Sequence, residues 1–193
     1  MTEQELISGI KAREEKAFKE FVDKYQELVV NVCNSFLHDR DDALDVSQEV
    51  FIKVFHSADS FKGDSKISTW LYRIAVNKSL NFLRSKKRKN IFSSLDLLLE
   101  DKQNNPIDSV ADNGENAEEK MSKNEDIERM IAVINQLPKK QKTAINLNKF
   151  EGLSYKEISE IMNISVTETG VLINRAKSKI QKQMIDKIKK NKP

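Results

Sequence analysis

Two Ser-x-x-Glu pairs near the C-terminus constrain the fold of this 193-residue chain more than any other feature. Ser154 precedes Glu157 and Ser165 precedes Glu168, so the second pair begins eleven residues after the first. In such a capping box the serine hydroxyl accepts from a free helix amide, and the glutamate accepts from the serine amide. Two boxes at this distance predict a helix of about two turns, the turn "NIS" and a second helix. This spacing is typical of a DNA-binding helix-turn-helix, and an ordinary helical hairpin is the alternative.

The apolar residues predict an all-α fold. They recur at three- and four-residue steps, no alternating strand pattern is present, and only five glycines and three prolines interrupt the chain. The predicted core of one long amphipathic helix consists of Phe18, Phe21, Val22, Tyr25, Leu28, Val29, Val32, Cys33 and Phe36. Asp39 is placed to cap the next helix, whose predicted buried stripe consists of Leu44, Phe51, Val54 and Phe55.

Charge divides the chain into three blocks. Residues 1–90 carry 16 Lys/Arg and 14 Asp/Glu, residues 91–126 carry 3 and 10, and residues 127–193 carry 14 and 6. By subtraction, the net charges of these three blocks are +2, −7 and +8. We therefore predict two small helical domains, over 1–90 and 122–193, joined by a flexible acidic linker over 91–121. The basic C-terminal domain is suited to a polyanion.

The composition supports neither an enzyme nor a cofactor-binding protein. One cysteine provides neither a disulfide framework nor a zinc cluster. Two isolated histidines and the lack of a glycine-rich phosphate loop leave no catalytic constellation. The N-terminus lacks the apolar run of a signal peptide, and no stretch reaches the ~18 apolar residues of a membrane span. We therefore expect a soluble cytoplasmic protein that is not an enzyme and uses no cofactor.

The only tryptophan lies on the polar side of a predicted helix over residues 69–89. The apolar side of this helix consists of Leu71, Tyr72, Ala75, Val76, Phe82 and Leu83. The opposite side, named here the tryptophan face, consists of Trp70, Arg73, Asn77, Asn81 and Arg84, with Ile74 among them. Aromatic rings stack on unpaired bases, amides bind base edges and cations neutralise phosphates, which favours single-stranded DNA as the partner. Alternatively, Trp70 packs beneath the preceding loop "SFKGDSKIS".

A second polar surface lies on the predicted helix over residues 41–57. Five residues fall on the side away from its apolar stripe, and this set is named the acidic strip: Asp42, Asp45, Gln48, Glu49 and Ile52. Because carboxylates repel phosphates, a functional acidic strip should contact a protein. A solvated face without a partner is the alternative.

Taken together, these segments resemble the bacterial sigma-70 factors, specifically their compact extracytoplasmic-function group. "DVSQEVFIKVF" is similar to the helix that binds core RNA polymerase, and "FKGDSKISTWLYRIAVNKSLNFLR" to the segment that reads and melts the −10 promoter element. "LPKKQKTAINLNKFEGLSYKEISEIMNISV" is similar to the domain that binds the −35 element. The resemblance implies a factor that binds core polymerase, directs it to promoters and initiates strand opening. A stand-alone helix-turn-helix regulator is the alternative.

The resemblance also implies roles for individual residues and partners. The acidic strip would contact the β′ clamp helices, the loop from Phe61 to Ile67 would capture a flipped base, and Trp70 would be the wedge. The residues expected to contact −10 DNA are Phe61, Lys62, Gly63, Trp70, Arg73, Asn77, Asn81, Arg84, Lys86, Lys87 and Arg88. Those expected to contact −35 DNA are Lys156, Ser165, Thr167, Glu168, Gly170, Val171, Asn174, Arg175 and Lys177. The implied partners are core RNA polymerase (β′ clamp helices and β flap), promoter DNA that is double-stranded at −35 and single-stranded at −10, and an anti-sigma factor.

Two positions depart from the family pattern. Housekeeping members carry a second tryptophan where this chain has Leu71, a difference that the compact group shares. In the recognition helix, Gly170, Val171 and Leu172 replace the lysine, serine and arginine that relatives often carry. Because a bidentate guanine contact by that arginine is lost, no relative's −35 sequence is transferred to this chain.

Overall fold

The computed structural model describes residues 1–99, 127 and 129–190, which contain helices and no strand. The α-helices are α1 (Glu3–Lys11), α2 (Glu15–Leu37), α3 (Arg40–Ser57), α4 (Ile67–Leu99), α5 (129–135), α6 (Lys139–Lys149), α7 (Tyr155–Met162) and α8 (Val166–Lys190), with a 3₁₀ turn at Ala58–Ser60. The predicted all-α class is confirmed. Most of the predicted linker and the start of the predicted C-terminal domain, residues 122–126, lie outside the described residues. No helix within these ranges is long and apolar enough to cross a membrane.

Helices α1 to α4 form the N-terminal domain around an apolar core. The predicted stripe of α2 is buried or half-buried, and Phe21 of α2 packs against Phe51 of α3 with ring centroids 6.5 Å apart. Asp39 caps α3 as predicted, because its carboxylate accepts from the Asp42 amide at 2.9 Å. The prediction for Leu44 was wrong: it is 39% exposed, since Ala43 and Ser47 take the buried positions of that turn.

Helix α4 extends further than the sequence pattern predicted. It continues to Leu99, so residues 91–99, which we assigned to the linker, are helical. Neither glycine nor proline occurs between Gly63 and Pro106, so no strong helix breaker stands in this segment. The missing breakers allow the helix to continue past residue 89 into the segment that we assigned to the linker.

The C-terminal domain contains the predicted helix-turn-helix. The hydroxyl of Ser154 accepts from the Glu157 amide, and the Glu157 carboxylate accepts from the Ser154 amide at 2.9 Å, which completes the first capping box. Helix α7 then ends at Asn163 in the left-handed conformation, with φ 53°. The second box is only half formed: Ser165 accepts from the Glu168 amide at 3.0 Å, but the Glu168 carboxylate accepts from Lys140 at 3.1 Å.

The two domains are in contact, with α7 against α4 and α6 against the end of α2. Asn146 of α6 donates a hydrogen bond to the carbonyl of Ser35 in α2 at 2.8 Å. Near this bond, the ring of Phe150 meets the ring of His38 edge to face, with centroids 5.8 Å apart. These contacts place the helix-turn-helix beside the tryptophan face of α4.

Candidate functional site

The acidic strip lies on the outer surface of α3. Its members Asp45, Gln48 and Glu49 are exposed, while the residues on the opposite side of the helix form part of the core. Ile52 is 57% exposed and borders an apolar cavity of about 340 Å³ that Phe18 and Phe55 also line. The strip therefore offers a protein partner an apolar contact next to exposed carboxylates.

Two carboxylates of the acidic strip form ion pairs with α4. Asp42 accepts from Lys86 at 2.6 Å, and Glu49 accepts from Lys78 at 2.8 Å. The hydrogen bond that Lys86 donates to Asp42 raises the pKa of Lys86. Asp42 and Lys86, which we expected to contact polymerase and DNA respectively, thus contact each other. Such solvent-exposed ion pairs contribute little to stability, so partners can readily replace them.

Trp70 of the tryptophan face is half-buried against the loop that precedes α4. Its ring centroid lies 4.9 Å from that of Phe61, with the rings tilted by 38°. The structure therefore shows Trp70 in contact with the preceding loop, as the alternative interpretation predicted. Part of the indole nevertheless stays accessible. Asn77, Asn81 and Arg84 are exposed further along α4. The side opposite them is buried, with Leu71 and Ala75 fully enclosed.

Arg73 of the tryptophan face binds the end of α7. Its Nε donates to the carbonyl of Ile161 at 3.2 Å, and its Nη2 donates to the carbonyl of Glu160 at 2.7 Å. These carbonyls belong to the C-terminal turn of α7, where free acceptors and the helix dipole attract a cation. Beside this contact lies a cavity of about 580 Å³, with Asn77 and Leu80 on one side and Met162 on the other. The helix-turn-helix thus covers part of the tryptophan face.

The junction between α6 and the end of α2 contains imperfectly paired polar groups. The Oδ1 of Asn146 and the Nε2 of His38 are buried without a hydrogen-bond partner among the described residues. Burial lowers the pKa of Lys142 to about 8, and burial together with this lysine lowers the pKa of His38. An unpaired buried polar group costs about 1–3 kcal/mol, so this junction gains less than its buried area suggests.

The remaining residues expected at −10 DNA flank the tryptophan face. Lys87 and Arg88 are exposed in the basic cluster of α4. Lys62 and Gly63 are exposed in the loop, where Gly63 adopts a left-handed φ of 83° that favours glycine. The loop is held to α1 by Lys11, whose Nζ donates to the carbonyl of Phe61 at 2.9 Å.

Helix α8 presents an outer surface of mixed polarity. The exposed residues expected at −35 DNA are Thr167, Val171, Asn174, Arg175 and Lys177, and the buried side consists of Thr169, Leu172, Ile173 and Ala176. Lys156 on α7 and Ser165 at the start of α8 are exposed as well. Gly170 is half-buried beside Tyr155, whose ring would lie 3.5 Å from an added Cβ. Glu168 is engaged with Lys140, as described above.

The sequence reasoning missed α1, which lies beside the loop of residues 61–67. Its signal was the same type of capping box, at Thr2 and Glu5. The Thr2 amide donates to the Glu5 carboxylate at 2.7 Å, and the Glu5 amide donates to the Thr2 hydroxyl at 3.3 Å. Hydrogen bonds from the amide and the side chain of Thr2 to the Glu5 carboxylate lower the pKa of Glu5.

Comparisons with known proteins agree with this geometry. The family profiles of Sigma-70 region 2 and Sigma-70 region 4 match residues 21–89 and 127–180. The ECF RNA polymerase sigma-E factor of Haemophilus influenzae is 37% identical over 185 residues, which cover 95% of this chain and 96% of that protein.

Two solved structures share the fold. CnrH, in complex with the cytosolic domain of CnrY, gives a TM-score of 0.62 at 19% identity and covers 94% of this chain and 96% of that chain. The sigma factor RpoE of Bartonella quintana, in complex with the anti-sigma factor NepR, gives a TM-score of 0.53 at 21% identity. The match covers 88% of this chain and 97% of that chain. At these identities the likeness shows the fold alone.

Proposed function

The chain belongs to the extracytoplasmic-function group of the sigma-70 family, and from this membership we propose that it binds core RNA polymerase, directs it to promoters and initiates strand opening. The chain thus acts through recruitment and DNA recognition, inside the cell with the polymerase, and catalyses no reaction itself. We assign core binding and the −10 element to residues 1–90, the −35 element to residues 122–193, and the connection to residues 91–121.

The observation that carries this proposal is the arrangement of polar groups along α4. A half-exposed indole, two exposed amides and an exposed basic cluster follow one another on a single helix. Unpaired bases stack on aromatic rings at about 1–3 kcal/mol per base, and exposed cations hold the backbone. A base leaves the duplex at a cost of a few kcal/mol, which such contacts offset.

The other two surfaces complete the function. The acidic strip supports binding to the β′ clamp helices, because it combines exposed carboxylates with the apolar contact at Ile52. The outer side of α8 supports major-groove binding at −35, and we propose Asn174 and Arg175 as its main base readers. We also propose an anti-sigma partner, since the related RpoE of Bartonella quintana was solved with one.

Transcription by reconstituted polymerase tests the proposal. Purified chain is added to core polymerase on genomic templates, and we expect discrete transcripts that depend on both components and on a common promoter sequence. Core polymerase alone and the chain alone are the controls. A chain that neither binds core nor yields such transcripts would overturn the proposal. Duplex binding that requires no polymerase would instead support the helix-turn-helix regulator.

Replacing Trp70 tests the proposed melting step. Trp70→Ala should leave the closed complex largely intact and reduce opening by about tenfold, within the 1–3 kcal/mol range of one base stack. Permanganate reactivity of bubble thymines measures opening, and Ile185→Ala is a control that removes an apolar side chain exposed at 43% near the end of α8. Unchanged reactivity would mean that the indole only packs on Phe61.

A further inference from the structure

A cavity of about 470 Å³ lies between α1 and the loop of residues 61–67. Resting on the proposed function, we infer that α1 forms the second wall of the pocket that holds an unpaired −10 base, with Gln4 and Ser8 reading the edge of that base. The loop alone cannot enclose a base, because its exposed residues line only one side of this cavity.

The polar lining of α1 is free to bind. Gln4 and Ser8 are exposed, lie one helical turn apart and line the cavity. Their side chains make no hydrogen bond within the described part of the chain. An amide and a hydroxyl each both donate and accept, which suits the edge of a nucleobase.

The wall is also rigid. Leu6 and Ile10 on the other side of α1 are fully buried, and the capping box at Thr2 fixes the start of the helix. Lys11 at its end holds the loop through the carbonyl of Phe61. Gln4 and Ser8 therefore keep a fixed position relative to the loop, which selection among bases requires.

The charges of the cavity favour a nucleotide of the unpaired strand. Lys11, Lys62 and Lys66 line it, and Glu3 is the one carboxylate among the described residues that line it. Glu3 accepts from the Tyr25 hydroxyl at 2.7 Å and from Lys24 at 3.3 Å, and the bond from Tyr25 lowers the pKa of Glu3. The three lysines can therefore neutralise phosphates, while the nearly buried Ile7 and Ile67 provide an apolar surface for a base.

A promoter library tests the inference. Holoenzyme made with the full chain transcribes templates with a randomised −10 element, and sequencing of the transcripts gives base preference at each position. Gln4→Ala/Ser8→Ala should weaken preference at one position at least fivefold and leave the other positions unchanged. Gln26→Ala, at an exposed glutamine of α2 outside the cavity, is the matched control and should change nothing.

A second variant separates base reading from a structural role. Gln4→Glu keeps the shape but replaces the amide donors with an acceptor, so the preferred base at that position should change rather than merely weaken. Preferences identical to wild type in both variants would overturn the inference. Failure of the proposed function is distinguishable, because wild-type chain would then give no promoter-dependent transcripts.

Discussion

The two functional faces of the N-terminal domain differ in accessibility. The acidic strip on α3 is exposed and carries only replaceable surface ion pairs. The tryptophan face on α4 is partly covered, because Arg73 is bound to the carbonyls of Glu160 and Ile161 in α7. A protein partner can thus bind the strip directly, whereas DNA has to replace the helix-turn-helix at Arg73. The difference predicts an order in which polymerase binds first and promoter DNA second.

The contact between α7 and the tryptophan face is of a kind that a partner can disrupt. The polar contacts of α7 with α4 include hydrogen bonds from the Arg73 guanidinium to helix carbonyls, which stronger bonds between that guanidinium and phosphates can replace. The adjoining junction leaves His38 and Asn146 with unpaired buried atoms. A partner that separates the domains lets water satisfy those atoms, which offsets part of the cost of opening.

A covalent lock between the domains should have the largest effect. Leu80 and Met162 line opposite sides of the same cavity, so Leu80→Cys/Met162→Cys should join through a short bis-maleimide. The locked chain should lose at least tenfold in affinity for a single-stranded −10 oligonucleotide, because Arg73 stays engaged. Its affinity for a fragment with the β′ clamp helices should stay unchanged.

Three controls accompany the lock. The untreated double variant and each treated single variant should bind the oligonucleotide normally. Cys33 can remain in place, because burial raises the pKa of its thiol to about 11 and shields it from the reagent. A locked chain that binds the oligonucleotide as well as wild type would show that α7 does not obstruct the tryptophan face.

Charge reversal on the acidic strip should have the next largest effect. Asp45→Lys/Glu49→Lys should weaken core polymerase binding about tenfold or more, since like charges across an interface are costly. Binding to the −10 oligonucleotide should not fall. Glu27→Lys, at an exposed carboxylate of α2, is the matched control. Equal core affinity for both variants would show that the strip is only solvated; affinity titrations with labelled core provide the measurement.

The sequence predicted features that depend on local interactions. The caps at Asp39, Ser154 and Ser165 involve residues three positions apart, so the starts of α3, α7 and α8 follow from them. The buried side of α4 follows from helical periodicity in the same way. The prediction that Leu44 is buried was wrong because periodicity gives the direction of a helix face but not its width.

Features that depend on distant residues were not predictable. Arg73 was assigned to DNA, yet its partners in α7 lie 87 and 88 positions away in the sequence. The pairing of Lys86 with Asp42 likewise spans 44 positions. Residue type reveals that these groups can bind anions or carbonyls, but only the packing of the helices decides which one they meet. Helix α1 differs from these cases. We did not predict it, although its local capping box at Thr2 and Glu5 is visible in the sequence.

A third expected effect concerns the stability of the junction that maintains the difference between the two faces, where α6 packs against the end of α2. Lys142 of α6 is 5% exposed, and burial lowers its pKa from 10.5 to about 8. The Lys142 side chain therefore keeps its proton to a higher pH in the unfolded chain than in the folded chain. Stability should consequently rise between about pH 8 and 10.5, by at most about 1.4 kcal/mol per pH unit.

Lys142→Met should abolish this pH dependence, as measured by urea unfolding at intervals between pH 7.5 and 9.5. Cys33 acts in the opposite sense above about pH 9, because burial raises the pKa of its thiol from 9.0 to about 11. The difference between wild type and variant isolates the lysine. Lys139→Met, at an exposed lysine of the same helix, should retain the wild-type slope. If the stability of Lys142→Met rises with pH as steeply as that of the wild type, Lys142 is accessible to water. The junction then opens readily without a partner.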